Sequence, residues 1–336
     1  MVNRIINGDM RIDQRNAGAA VTTAGSFPVD RMRMTNITDG AFSAQQDSSS
    51  PVGFTNSVKV TTTTADGTLT TTQSLLLEQR LEGGNTYDLA WGTANAKTVT
   101  LSFWVRSSLT GTFGGALQNS VQNRSYPFIY SILVADTWEY KTVTVAGDTT
   151  GTWLTTTGIG LRLAFGLGIG PDRSGAAGAW NSNNNFSATG ATSVVGTLNA
   201  TWYITGVQLE KGSTATDFEY VDYSRQLQMC QRYYSKLTSF ISVGLLGVGI
   251  SSGTTSSWVK VTTPVALRAL PTVNYFNLSM SDQATYSAAV SSIAGAAQTL
   301  TGGGVAFNHA GGATLYRTAV VNTTSISGYI DFSAEL

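Results

Sequence analysis

Between Thr201 and Leu237 the chain changes its hydrophobic period, and that one change divides it into two β-rich regions. In TWYITGVQLEK, Trp202 and Ile204 alternate with Tyr203, Thr205 and Val207, the two-residue period of a strand. Gln208-Leu209-Glu210 carries the extension on to Lys211-Gly212. From Asp222 the period lengthens: Tyr223, Leu227, Cys230 and Tyr234 recur at helical spacing and fall on one face of a helix. Asp222 is the expected N-cap, because its carboxylate can accept from the first free amides. The spacing therefore predicts a connector helix over 221–237, an N-terminal domain over 1–220 and a smaller C-terminal domain over 238–336.

Both flanking regions have the composition of β structure. Of 336 residues only 12% are charged, against roughly 25% in ordinary soluble domains. Thr, Ser, Asn and 36 glycines fill the polar positions, and these residue types favour strands and the turns between them. With 42% hydrophobic residues a packed core is available, which excludes wholesale disorder. The 20 basic and 20 acidic residues balance, and no Lys/Arg cluster marks a nucleic-acid surface. A chain this neutral has little self-repulsion, so a homo-oligomer is expected. Cys230 is the single cysteine, which excludes an intrachain disulfide. No apolar run is long enough for a membrane span, and MVNRIINGDM lacks the apolar core of a signal peptide, so synthesis in a reducing cytoplasm is expected.

Along the N-terminal region, strands are expected at 1–14 (a short apolar one around an Asn7-Gly8 turn), 26–38, 42–47, 54–62, 86–91, 97–107, 138–145 and 158–166, with 68–81 open between strand and helix. KTVTLSFWVRS puts Val99, Leu101, Phe103 and Val105 on one face and Thr100, Ser102, Trp104 and Arg106 on the other. Trp104 among polar neighbours marks either a second contact surface or inter-sheet packing. Residues 171–196 read as a long loop carrying Trp180 and Phe186. The count of strands fits a two-sheet sandwich. After the helix, apolar strands are expected at 240–250, 257–267 and 270–280, followed by a small-residue stretch at 284–295. Strands at 314–321 and 325–332 close the chain as a pair, completing a compact C-terminal sandwich. The fold class is all-β: a two-sheet sandwich, a short connecting helix and a smaller β-sandwich; the resemblance given next implies that the first sandwich is a jelly roll.

Particular motifs add a family resemblance. Ile5-Ile6-Asn7-Gly8-Asp9-Met10-Arg11-Ile12, then Gln14-Arg15 and Asp30-Arg31, resemble the start of phage and prophage virion proteins of the tail-fibre type. Val207-Gln208-Leu209-Glu210, Gly212, Ala215-Thr216, Phe218-Glu219, Tyr223, Leu227 and Cys230-Gln231-Arg232-Tyr233-Tyr234 are similar to the signature that closes the same domain. Leu267-Arg268-Ala269-Leu270-Pro271-Thr272-Val273 resembles a segment found beyond the helix in such proteins. Gly84-Asn85-Thr86-Tyr87, Val99 to Arg106, and Trp138-Glu139-Tyr140 are similar to strands of jelly-roll carbohydrate-binding modules. Such modules often hold a structural calcium, but Gly206 and Val207 stand where paired aspartates belong. Asp9 alone is a poor cage for an ion taking about 6–8 oxygens, so no metal or cofactor is expected.

The resemblance implies a non-enzymatic structural component of a bacteriophage virion, made in the host bacterial cytoplasm. It would be a trimeric tail fibre or receptor-binding protein contacting other virion proteins and host surface glycan. A capsid decoration protein, binding only virion proteins, is the alternative, and a polysaccharide depolymerase a further one. For catalysis the residues offer little. His309, the only histidine, sits in an expected loop, and Glu78, Glu82 and Asp88 are carboxylates that no spacing brings together. For glycan binding, aromatic faces beside polar groups suit sugar rings. Trp153, Trp180 and Tyr126, in or beside loops with Asp148 and Arg173 at hand, are the candidates. Tyr223, Leu227, Cys230 and Tyr234 are assigned to the connector's packed face.

Overall fold

The computed structural model describes residues 2–239, 241–282 and 286–336. It divides into two units, Met1–Gln226 with Leu336, and Leu227–Glu335. The first unit holds β1 (Arg33–Asn36), β2 (Ala41–Asp47), β3 (Ser57–Thr64), β4 (Ser74–Glu82), β5 (Val99–Ser107) and β6 (Gly111–Gln118). It continues with β7 (Ser125–Ile132), β8 (Glu139–Val145), β9 (Ile159–Ile169), β10 (Ser174–Gly175), β11 (Ser187–Ala188) and β12 (Thr201–Lys211). Two five-stranded sheets, ordered β1-β4-β9-β6-β7 and β2-β3-β12-β5-β8, make the sandwich. The all-β sandwich expected from composition and alternation, with the jelly roll that the resemblance implies, is what forms.

Alternation decides which residues meet between the sheets. Val99, Leu101, Phe103 and Val105 of β5 are fully buried, and so are Leu75 and Leu77 of β4, Leu161 of β9 and Trp202 of β12. Each such side chain stabilises the fold by about 1.5–3 kcal/mol through burial alone. The Trp202 indole N–H donates to the buried Tyr130 hydroxyl at 3.2 Å, so its polar edge is satisfied. Burial pushes the Tyr130 hydroxyl well above its ordinary pKa.

The structure departs from these expectations at several points, the first being that residues 2–14 form no strand. Residues 86–91 are not a strand: Thr86, Leu89 and Ala90 donate successively to Gly83, Thr86 and Tyr87, giving 3-10 turns that end at left-handed Ala90. The open segment resolves as strand β4, whose Leu75 and Leu77 point into the core. Strands β6 and β7 were not foreseen, because glycines in GTFGGALQ and a proline in SYPFIYSI blur their alternation. Tyr126 therefore lies within a buried strand, not a loop.

The second unit holds β13 (Tyr234–Thr238), β14 (Leu245–Ser251), β15 (Ser256–Thr262), β16 (Thr272–Phe276) and β17 (Leu278–Ser281). β18 (Ser287–Thr299), β19 (Gly302–His309), β20 (Thr318–Thr323) and β21 (Tyr329–Ser333) complete it. The expected smaller sandwich takes the form of a closed six-stranded ring, β14-β15-β19-β18-β17-β20, with a three-stranded sheet, β13-β21-β16. Val259, Val261, Leu278, Met280, Val305, Phe307, Val321 and Phe332 fill its core. β20 and β21 do not pair with each other as expected: β20 joins β14 and β17, and β21 takes the middle of the three-stranded sheet. Phe240 and Ala284, the first residues of two expected stretches, lie outside the described residues.

The helix α1 spans Tyr223–Gln231 and so crosses the division between the units. Asp222 caps it, accepting from the amides of Ser224 at 2.9 Å and Arg225 at 3.3 Å. Of the four residues assigned to its packed face, Cys230 is fully buried and Leu227 partly buried. Tyr223 is exposed, with Arg11 over its ring at 6.0 Å. Tyr234 is beyond the helix, opening β13 and donating to Asp331 at 3.2 Å. Helical spacing ran past the helix because the following strand keeps Tyr233 and Tyr234 buried as well.

Candidate binding cleft on the outer sheet face

The outward face of β2-β3-β12-β5-β8 carries a row of ligand-sized features. Thr100, Ser102 and Trp104 leave β5 on the side opposite its buried residues, in register with Thr144, Thr142 and Tyr140 of β8. Trp104 and Tyr140 meet at 5.4 Å with rings tilted by 50°. Four hydroxyls beside an aromatic pair follow directly from two alternating strands placed side by side.

A β-bulge in β12 shapes the floor. The register to β5 shifts between Thr205 and Gln208, and Gly206 takes a left-handed φ of 62° there. A Cβ at Gly206 would stand 2.7 Å from the Phe54 ring and 3.2 Å from Trp104 Cδ1. Glycine is what lets the two aromatics approach across the floor. Phe54, Phe218 and Tyr220 form an opposite aromatic group with centroids 5.0–5.7 Å apart, and the Tyr220 hydroxyl donates to Gly53 O at 2.8 Å. Between these walls lies a cleft of about 1070 Å³, its polar lining made of Thr, Ser and Asp217.

One wall is a strap, residues 211–220, that folds back over β12. Glu210 is buried and accepts from the Thr216 amide at 2.8 Å and its hydroxyl at 2.7 Å. Gln208 donates to Asp217 O at 3.2 Å and accepts from the Glu219 amide at 2.8 Å. Glu219 in turn accepts from the amides of Val2 at 2.9 Å and Asn3 at 2.6 Å. The motif residues Gln208, Glu210, Thr216 and Glu219 thus serve one purpose, pinning the strap. The opening turn locks to the same bulge, with Val207 donating to Gly8 O at 2.9 Å and Asn3 Nδ2 donating to Val207 O at 3.0 Å. A Cβ on Gly8 would stand 2.1 Å from Val207 O, a backbone atom that cannot swing away. Gly8→Ala should cost about 1–3 kcal/mol by overpacking. Denaturant unfolding checks it, and an unchanged midpoint would show the turn free to shift.

The residues assigned to glycan binding come together elsewhere. Trp153, Trp180 and Tyr126 close around Trp91, with centroids at 4.8–5.4 Å in edge-to-face contact. Trp153 and Trp180 donate to the carbonyls of Thr150 at 3.1 Å and Ala146 at 2.7 Å, and pack on the core. Both are partly buried, packed as one aromatic cluster against the core. Arg173 is apart from them, its guanidinium 6.0 Å over Phe186 and its Nε buried with no hydrogen-bond partner. Asp148 is held in a two-pronged pair by Arg124, both contacts at 2.7 Å. Burial raises the Asp148 pKa, but Arg124 and the Thr150 contacts outweigh it and leave it lowered.

The candidate acids are likewise engaged. Arg33 and Arg80 hydrogen-bond buried Glu78 at 2.9 and 2.7 Å, and Arg162 lies 3.9 Å away. Asp88 is gripped by both Nη groups of Arg4 at 2.7 Å, which lowers its pKa. His309 ends β19 and is buried, correcting its placement in a loop, and Ser257 Oγ lies 2.9 Å from its Nε2. Near the bulge, Asp9 Oδ2 is paired with Arg11, Asp9 Oδ1 is buried with no hydrogen-bond partner, and Val207 O is taken by Asn3. No group of three or more His, Cys, Asp or Glu suited to a metal occurs among the described residues. No helix among them is long and apolar enough to cross a membrane.

Sequence reasoning left Trp104 open between a contact surface and inter-sheet packing, and placed neither it nor Tyr140, Phe54, Phe218 and Tyr220 in the candidate site. Tyr140 carries a signal, since WEYKTVTV alternates and must pair with a neighbour. Phe218 and Tyr220 lie on a segment with no period, and Phe54, the first residue of the strand expected at 54–62, stands just ahead of β3.

No protein-family model matches the chain, and no match is found among curated protein sequences. Solved structures similar to it include the enzymatically active domain of bacteriophage CBA120 tailspike protein 4, at 11% identity and a TM-score of 0.35. That match covers 63% of this chain and 22% of the tailspike chain. TmCBM61 in complex with β-1,4-galactotriose matches at 8% identity and a TM-score of 0.32, over 63% of this chain and 100% of its own. The family 11 carbohydrate-binding module of Clostridium thermocellum, in complex with a β-1,3-1,4-mixed-linked tetrasaccharide, matches at 13% identity and a TM-score of 0.29. It covers 61% of this chain and 100% of that module.

Proposed function

We propose that the first unit is a glycan-binding module and that its cleft, lined by Trp104, Tyr140, Phe54, Phe218 and Tyr220, holds a sugar chain. The observation that carries this is the cleft itself. Aromatic groups on two walls offer faces to apolar C–H surfaces, with Thr142, Thr214 and Asp217 among the polar lining between them, while Thr100 and Thr144 donate their hydroxyls to the strap carbonyls of Gly212 and Ser213. The motifs at both ends of the unit support a wider reading, a non-enzymatic component of a bacteriophage virion, localised to the particle. In that reading it assembles as a homotrimer beside other virion proteins and contacts host surface polysaccharide. Purified protein should then bind host cells or their surface polysaccharide at micromolar concentration, measured by calorimetry or cell pull-down. Absence of binding sinks the cleft reading. A rise in reducing ends on incubation with the polysaccharide would instead make the protein a depolymerase.

A second reading, capsid decoration through protein contacts only, is favoured by the exposed Val248, Ile250 and Trp258 on β14 and β15. Localisation in the assembled particle by electron microscopy separates the two.

A further inference from the structure

Beside the cleft, the same sheet face carries a second row of side chains. Arg106 follows Trp104 by two residues on β5, so it leaves the same face about 7 Å along the strand. Tyr203 of β12 is in register with Arg106 on one side and with Lys59 of β3 on the other. The Arg106 guanidinium lies 5.0 Å and the Lys59 ammonium 5.6 Å from the Tyr203 ring centroid, so one tyrosine bears two cations. Trp138 meets the same ring edge-on at 6.1 Å.

The carboxylates nearest these cations hold them loosely. Asp136 approaches Arg106 at 3.4 Å from a position 58% exposed, and Asp47 stands 4.0 Å from Lys59. Elsewhere in the unit, Arg4–Asp88 and Arg124–Asp148 close to 2.7 Å. Arg106 also donates to Ser49 Oγ at 3.1 Å, while its Nε is buried with no hydrogen-bond partner. Two cations are thus fixed in place by ring stacking, one row from the aromatic pair, with donor capacity to spare. The cleft lining itself contains no cation and one carboxylate, Asp217. The binding face is therefore graded in charge, hydroxyl-lined at Trp104 and Tyr140 and cationic at the next row.

We infer that the glycan held in this cleft is an acidic one, whose uncharged ring lies in the cleft while the carboxylate of a uronic acid reaches Arg106 and Lys59. The inference rests on the glycan-binding reading of the cleft and adds the substrate class. Guanidinium and carboxylate meet through charge-assisted hydrogen bonds, and an exposed competitor such as Asp136 is readily displaced.

The test uses the full chain and three uronic-acid polysaccharides, alginate, polygalacturonate and hyaluronan, each beside its carboxyl-reduced form, with a panel of neutral glycans. At least one native acidic polymer should bind about tenfold tighter than its reduced form. That margin should shrink as salt is raised. Arg106→Gln combined with Lys59→Gln should erase the margin and leave binding of the reduced form unchanged, whereas Arg106→Lys should keep part of it. Equal affinity for native and reduced forms overturns the inference, and so does a margin that survives the double substitution. Binding confined to the neutral panel overturns it too, with the cleft reading intact. If no glycan of either class binds, the cleft reading falls and this one with it.

Discussion

Trp104→Ala should raise the glycan Kd at least roughly 30-fold, about 2 kcal/mol, while the fold survives. The indole is half-exposed on the outer face and touches Tyr140 and Gly206, not the sandwich core. Its removal takes away one face of the clamp and leaves the inter-sheet packing of Phe103 and Val105 in place. The stability cost should stay near ~1–2 kcal/mol, visible as a modest shift in the unfolding midpoint. Calorimetric titration of wild type and variant decides the matter. An unchanged Kd for a glycan that wild type binds would move the site elsewhere on the molecule. The corresponding change in the aromatic cluster around Trp91, Trp180→Ala, should act in the opposite sense. It should cost more stability, because Trp180 packs against Trp91, Trp153 and Tyr126, and should leave affinity unaltered.

Glu78→Gln should have the largest effect on folding, about 3–5 kcal/mol at neutral pH. The carboxylate is 2% exposed and faces Arg33, Arg80 and Arg162, so its loss takes away the charge that these three guanidinium groups share. Burial alone would raise the Glu78 pKa, yet the charges of Arg80 and Arg162 and hydrogen bonds from Arg80 and Arg33 more than reverse this. The pKa in the folded protein therefore lies below the ordinary 4.5. A carboxyl with a depressed folded pKa contributes stability that is complete above its unfolded value and is lost as pH falls through the folded one. The gap between wild type and Glu78→Gln should accordingly be full at pH 7 and narrow below about pH 4.5. Denaturant unfolding at several pH values measures both. A gap that persists unchanged in acid would mean that Gln fails for reasons of packing and not of charge.

What the chain discloses before it is folded depends on whether a feature is periodic. Alternation in KTVTLSFWVRS separates Phe103 from Trp104 without further help, and Trp104 proves to be the centre of the cleft face. Phe218 and Tyr220 lie on a strap with no period of its own, and Phe54 on a loop ahead of β3. The hydrogen bonds of Gln208, Glu210 and Glu219 hold the strap, and that of Glu219 to Asn3 joins parts distant in sequence. Trp153 and Trp180 mislead for the opposite reason. Isolated aromatics among Gly, Ser and Asn look like exposed platforms, but their rings close on Trp91 and their N–H groups on nearby carbonyls. The motif GDMRI and the segment QLEKGSTATDFE are recognisable as strings, yet their physical meaning, a turn and a strap clamping one bulge, emerges only from the coordinates.

The closure of β14-β15-β19-β18-β17-β20 has a consequence for how copies can associate. A ring has no unpaired ladder edge, so a neighbour cannot extend this barrel by strand addition. Contacts made by the barrel must run through side chains such as Val248, Ile250 and Trp258 on its outer surface. Edge pairing is indifferent to sequence and tends to continue from chain to chain, whereas side-chain docking depends on shape and stops when a symmetric set is complete. Toward any neighbour the barrel therefore presents side chains and not backbone edges.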